Sequence, residues 1–579
     1  MQTFDVYSRS VVQVSEDYLR VKALPRREWT SEATQQWRAY LHGRVRLPCA
    51  IMDLNDVQVQ ALAEISQYGS AMCPIGVGRG KTLVTLLAPK VYPVALAMLI
   101  VPAALVEKTK NDMGTLAMEW DIATNIQVES YDLLGRESAA NLLEGARPDM
   151  LIFDEAHRIK NLKAGVTRRI DRYLRKHPQT RVIALSGTFN KRSLKDFGHI
   201  ALWCLGRRAP VPIERDVLLH WANALSPEAD SLTVVDPGPL ANIVDDDTSN
   251  DNQGASISLE WDQVAVAQRA WQRRFISTPG VIASSGESVD VSIVATELTF
   301  PVAPITESNI ARLRADMETP DGWALKQAVD VWRHAQELAL GFHYVWVPRP
   351  SIPWYDARRQ WAKFVRETLA RSQTFDTPGQ LENATLRGEL GAAASALFAA
   401  WRGWRDSFQY QKQAVWHDTT ALHEAYKWTK KGPGVVWVSH SVFGRELAAK
   451  AGLPYYGEMG VNDKGQLIDH APADKPVVAS LAACGTGRNL QQFNRALYTC
   501  PPHGADEWEQ SIARFHRPGQ KADCIEISWF ALCSENLRAF DRAYSDAHMI
   551  RRTMGDEQKI LLADIVRSSA ATMLGPRWE

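Results

Sequence analysis

The seven cysteines, Cys49, Cys73, Cys204, Cys484, Cys500, Cys524 and Cys533, form no CxxC pair and no zinc-ligand spacing. Scattered thiols of odd number argue against a disulfide framework and read as a reducing compartment. No sign of charge prevails either, since 66 Lys and Arg balance 66 Asp and Glu over 579 residues. A global cationic field is excluded, so any nucleic-acid binding must use a local stripe. Long apolar runs are also missing. The longest, Val91 to Val106, is broken by Pro93 and Pro102, short of the roughly 20 residues a membrane helix needs. It reads as a buried strand with its exit loop. The opening MQTFDVYSRSVVQVSEDYLR lacks the apolar core of a signal peptide. No repeat of roughly 20 to 50 residues is visible. What remains, 45% apolar and 23% charged, is an ordinary globular composition. The expectation is a cytoplasmic, multidomain protein with no membrane partner and about four domain-sized units.

Five segments are expected along the chain. Residues 1–45 are a mixed N-terminal accessory segment whose basic stretch, Lys22 to Arg27, reads as a solvated face. In 46–205 the apolar runs AMLIVP, DMLIFDEAH and RVIALSGT alternate with helical patterns, which predicts a parallel sheet covered on both faces. Residues 206–425 hold 11 of the 20 Trp and long helical patterns, among them DARRQWAKFVRETLA, and read as a largely helical inserted region. Its Trp excess is expected to pack helices together, and its acidic stretch 243–256 to form a loop. In 426–545 the alternation returns with GVVWVSHS, KPVVASLA, RALYTC and CIEISWF, and 546–579 reads as a helical tail. The basic run RRIDRYLRKH (168–177) reads as a solvated helix face rather than a DNA patch.

The string PIGVGRGKT, Pro74 to Thr82, opens a helical pattern. Gly76, Gly78 and Gly80 permit a tight turn whose N–H groups face phosphate oxygens, and the following helix adds its N-terminal dipole. Within that loop Gly78, Arg79, Gly80, Lys81 and Thr82 are the candidate nucleotide-binding residues. Lys81 would reach the β- and γ-phosphates of ATP, and Thr82 would ligate Mg²⁺. Ile75 stands where the longer GxxxxGK[ST] pattern has Gly, so the match is to the shorter GxGKT form.

In DMLIFDEAHRIKN a buried strand delivers Asp154 and Glu155 at its C-terminal end, the edge where parallel sheets bind ligands. Asp154 would hold Mg²⁺ and Glu155 would polarise the attacking water. Farther on, Arg514 and Arg517 lie three apart on one helical face.

DEAH followed by Arg158, Ile159, Lys160 and Asn161 resembles the SWI/SNF-type, remodeller-like branch of the superfamily-two helicases and DNA translocases. Other strings fall in that family's order. LNDVQ resembles its adenine-reading motif and points to Gln58. MLIVPAALV and QVESYDLL resemble DNA-proximal elements. LSGT resembles the segment that couples ATP state to domain motion, which implicates Ser186 and Thr188 together with His157. SLAACGTGRNLQ resembles the fifth motif, and QSIARFHRPGQ, from Gln510, resembles the sixth. The chain departs from the pattern at Arg79, Phe189 and Ala513, and in YTCPPHGADEWEQ.

The resemblance implies an α/β fold of two RecA-like parallel-sheet lobes, 46–205 and 426–545, with a helical region between them. It implies a monomeric, ATP- and Mg²⁺-dependent motor on double-stranded DNA, with Lys81, Asp154, Glu155, Gln510, Arg514 and Arg517 in the catalytic set. Compactness suggests a minimal bacterial or phage motor. Two alternatives stand beside it: a strand-separating DNA or RNA helicase on the same fold, and a non-catalytic nucleic-acid-binding scaffold. The zero net charge predicts basic side chains grouped at the motor groove and Asp245 to Asp247 turned away from it.

Overall fold

The computed structural model describes residues 8–76, 78–187, 189, 193–226, 233–244, 259–284, 291–325, 327–372, 374–517, 519–555 and 557–568. Thr188, Asp245 to Asp247 and most of the acidic stretch lie outside the described residues. The fold is mixed α/β with five- and seven-stranded parallel sheets. Contacts divide the chain into two units. Unit 1 comprises 1–287, 369–377 and 546–558, and unit 2 comprises 288–368, 378–545 and 559–579. Among the described residues, no helix is long and apolar enough to cross a membrane.

Unit 1 is built on strands β1 (Ala71–Pro74), β2 (Ala97–Val101), β3 (Ile126–Ser130), β4 (Met150–Asp154) and β5 (Arg181–Ser186), all parallel and in the order β1-β5-β4-β2-β3. Unbroken apolar runs such as AMLIV are what a strand covered on both faces requires. Helix α1 (Asp56–Tyr68) starts at a capping box, in which Asn55 and Gln58 each satisfy the other's backbone N–H. Helix α2 (Lys81–Val91) follows the glycine loop. Val59, Leu62 and Ile65 of α1 share one core with Val84 and Leu87 of α2 and with Leu99, Ile152, Ile183 and Leu185 of the sheet.

One connection and two basic stretches of unit 1 differ from expectation. Residues 280–284, assigned by pattern to the helical insert, run parallel to β1 along its open edge. Met72 N donates to Gly280 O at 2.8 Å, Ile282 N to Met72 O at 3.0 Å and Ser284 N to Pro74 O at 3.1 Å. The basic stretch before Arg27 is not simply a solvated face, because Arg27 pairs with the fully buried Glu64 at 2.5 Å. In α3 (Gly165–Lys176) the run 168–177 is partly internal. Arg169 is buried and donates to the carbonyls of Leu134 and Arg136, and Arg172 grips the buried Asp376 with both arms at 3.0 and 2.8 Å.

Unit 2 holds β6 (Ser292–Leu298), β7 (Val435–Val438), β8 (Tyr455–Tyr456), β9 (Val477–Ser480), β10 (Arg495–Tyr498), β11 (Cys524–Phe530) and β12 (Ala563–Val566), in the order β8-β9-β7-β10-β11-β6-β12. Two of these correct the sequence boundaries. β6 comes from the segment read as helical insert, yet it pairs along its whole length with β11. β12 comes from the segment read as a helical tail and forms the sheet's edge. The strand orders of the two sheets differ, so they are not copies by topology. Among the described residues the rest of 300–425 is mainly helical, with an antiparallel strand pair, Phe342–Val347 against Gln411–Trp416. Its Trp residues do pack: Trp354 touches Trp346, Trp401, Phe408 and Tyr410.

Candidate active site

The loop after β1 and the acidic residues after β4 emerge from one sheet, with β5 between their strands. The glycine loop turns through left-handed backbone at Gly78 (φ +86°) and Gly80 (φ +77°). A β-carbon on Gly80 would collide with Gln58 Nε2. Gly80 is also the N-cap of α2 and supplies no side-chain cap. The start of the helix is therefore not closed by a side chain at its N-cap. Lys81 is buried, and its Nζ donates to Ile75 O at 3.1 Å, folding its stem back over the loop.

Gln58 closes the same loop from outside. Its Oε1 accepts from Asn55 N at 2.9 Å and its Nε2 donates to Gly80 O at 3.1 Å. Asn55 Nδ2 donates to Arg79 O at 3.3 Å. The carboxamide expected to read adenine thus joins α1 to the loop in this structure.

At the end of β4, Glu155 takes a left-handed backbone (φ +53°) that a side chain with a β-carbon rarely adopts. Asp154 Oδ1 accepts the Glu155 N–H at 3.0 Å, and Tyr131 Oη donates to Asp154 O at 2.8 Å, which together fix this strained turn. Burial, with the Glu155 charge adding to it, holds the Asp154 carboxyl above its ordinary range against the opposing pull of Lys81. Glu155 Oε1 stands 3.9 Å from Lys81 Nζ, and its Oε2 stands 3.4 Å from His157 Nδ1. His157 Nδ1 in turn lies 3.1 Å from Ser186 Oγ at the end of β5. Lys81, Glu155, His157 and Ser186 therefore form a continuous line across three strand ends. Thr82 lies in the first turn of α2, and Thr188 falls outside the described residues.

Gln510, Arg514 and Arg517 belong to unit 2, at and beyond the end of α4 (Ala505–Ile512). Gln510 Oε1 accepts from Thr486 Oγ1 at 3.0 Å. Arg514 is buried and donates to the carbonyls of Gln510 at 2.7 Å and Arg488 at 3.1 Å, so it braces the fifth-motif string against the sixth. Arg517 is less enclosed and places Nη1 3.3 Å from Asn489 Oδ1. Burial pulls its guanidinium below the ordinary value, with Asp469 opposing.

Three contributors escaped the motif reading. Tyr131 secures the acidic turn, Ser284 accepts the Gly76 N–H at 2.9 Å, and Glu64 accepts the Gly280 N–H at 2.9 Å. Tyr131 did lie within the QVESYDLL string, but the other two carry no local signature. Lys160 and Asn161, by contrast, line a separate cavity of about 960 Å³ with Leu162 and Trp203. Comparison with protein-family models gives no match, and comparison with curated proteins gives none either.

Proposed function

We propose that the chain is an ATP-driven motor of the translocase type acting on double-stranded DNA, with a RecA-like ATPase core. The observation that carries the ATPase reading is the line from Lys81 through Glu155 and His157 to Ser186, set beside an uncapped helix N-terminus. A buried lysine and a buried carboxylate lie side by side at 3.9 Å, and a phosphoryl group would enter as Lys81 turns away from Glu155. Lys81 would exchange its bond to Ile75 O for β- and γ-phosphate oxygens. Glu155 would accept a hydrogen bond from the water and orient it. His157, between Glu155 and Ser186, would carry the change at Glu155 to the end of β5. Thr82 and Asp154 would hold a Mg²⁺ ion, which when bound would supply charge neutralisation to the phosphates. For Arg517 and Arg514 the resemblance alone implies support of the transferring γ-phosphoryl group, and Arg514 is here engaged by the carbonyls of Gln510 and Arg488. Duplex DNA enters through the resemblance of the motif series to the remodeller-like branch, and the balanced net charge suits a motor that must release and regrip phosphates.

The test is ATP hydrolysis by the full chain with and without duplex DNA. Stimulated hydrolysis is expected. Lys81→Ala should abolish binding, and Glu155→Gln should bind ATP while losing on the order of 100-fold or more in turnover. A parent protein without hydrolysis overturns the ATPase reading. Hydrolysis indifferent to DNA overturns the DNA reading, and robust unwinding of a tailed duplex replaces the translocase with a helicase.

A further inference from the structure

The glycine loop is held at both ends by side chains from outside it. At its far end Gln58 Nε2 donates to Gly80 O. At its near end the Gly76 N–H donates to Ser284 Oγ at 2.9 Å. Ser284 lies more than 200 residues farther along the chain and is only 6% exposed. It reaches the loop because residues 280–284 extend the sheet along β1, register by register, up to the Ser284 N–H on Pro74 O. Ile282 of this segment is buried in the same core as Ile75 and Leu83. Its start is fixed as well: the Gly280 N–H donates to Glu64 Oε2, whose other oxygen pairs with Arg27. Gln58 and Glu64 both belong to α1. One helix therefore sets Gly80 directly and Gly76 through the added edge segment.

We propose that Ser284 is a positioning residue of the phosphate loop, its hydroxyl holding Gly76 in the turn needed to receive the phosphates of a nucleoside triphosphate. The inference rests on the ATPase reading above. Three glycines within five residues give this loop many alternative backbones. A loop that is ordered before the ligand arrives loses less entropy on binding. The hydroxyl suits the task because it accepts the amide N–H and keeps its own proton as a donor. Threonine preserves that acceptor, cysteine offers only a weak one, and alanine removes it.

The experiment measures KM and kcat for Mg²⁺-ATP, together with the thermal midpoint, on the full chain and on Ser284→Ala, Ser284→Cys and Ser284→Thr. Loss of the hydrogen bond to the Gly76 amide should raise KM on the order of fivefold in the alanine and cysteine proteins. Their kcat should stay within about twofold of the parent, since the line from Lys81 to Ser186 is untouched. Threonine should bring KM back to within about twofold of the parent. The cysteine protein keeps an atom at the γ position and decides the matter if alanine does not fold. A lowered midpoint with unchanged KM makes Ser284 merely structural and overturns the proposal, as does threonine performing no better than alanine. A parent that hydrolyses no ATP removes the ATPase reading itself, and that failure is seen before any residue 284 variant is made.

Discussion

Asp154 and Glu155 are neighbours with opposite costs. Glu155 carries backbone strain, and Asp154 carries a charge that its surroundings disfavour. Burial and the adjacent carboxylate push Asp154 up to about 6 from an ordinary 3.8. The folded state therefore holds this proton more tightly than the unfolded chain does. Between about 4 and 6 the folded state loses stability as pH rises, and the full penalty stands above that window. Asp154→Asn keeps the oxygen that accepts the Glu155 N–H and removes the charge. It should raise the nucleotide-free melting midpoint at pH 7.5 by a few degrees, on the order of 2–4 °C, with the gain fading below about pH 4. ATP hydrolysis should be lost at both. Equal midpoints at pH 7.5 would show that Asp154 bears no such penalty. Lys81, Asp154 and Glu155 stood out in the sequence because each sits in a short string of recognisable spacing, and the structure brings Lys81 and Glu155 within 3.9 Å of each other. Ser284 and Glu64 did not stand out, because a lone serine or glutamate acquires meaning only from a partner more than 200 residues away.

Helix α3 shows how charge runs mislead at the level of elements. Its basic residues read as solvent-facing, yet Arg169 and Arg172 converge on Asp376, a carboxylate with a 2% exposed side chain from a distant connection. A β-carbon on Gly165 at the start of the same helix would meet Asp376 O at 2.7 Å, so the connection lies tightly against α3. Asp376→Ala would leave the buried Arg169 guanidinium without its counter-charge. The expected loss of stability is about 3–5 kcal/mol, measurable as a shift in the urea midpoint, whereas Arg175→Ala, at an exposed pair, should change it by less than about 1 kcal/mol. Similar shifts for the two would refute the clamp. Strands β2, β4 and β5 could be read directly because each is a continuous apolar run. β6 could not: its inward-facing positions are Ile293, Ala295 and Glu297, and the last is a buried acid paired through one oxygen with Arg567 from beyond β12. A charged inward residue hides the period of two on which strand recognition depends.

At the scale of the molecule, the boundaries at 205, 425 and 545 followed changes in composition, whereas the units follow contacts. Each unit gathers pieces that are far apart in the chain. β12 completes the second sheet, so ending the chain after Leu562 should leave β6 as a bare edge and Glu297 without Arg567. Limited proteolysis should then cut faster within unit 2 around 292–298 and 524–530, while cleavage in 71–186 stays at the parent's rate. Uniform acceleration in both units would contradict this division. The position of β6 also sets a timetable. The first sheet and its added edge are complete once residue 284 has been made. β6 must wait about 230 residues for β11, on the order of 10–50 s of ribosomal synthesis, and longer still for β12. During that interval both of its hydrogen-bonding edges are open, and the charge of Glu297 within the strand opposes pairing with another chain.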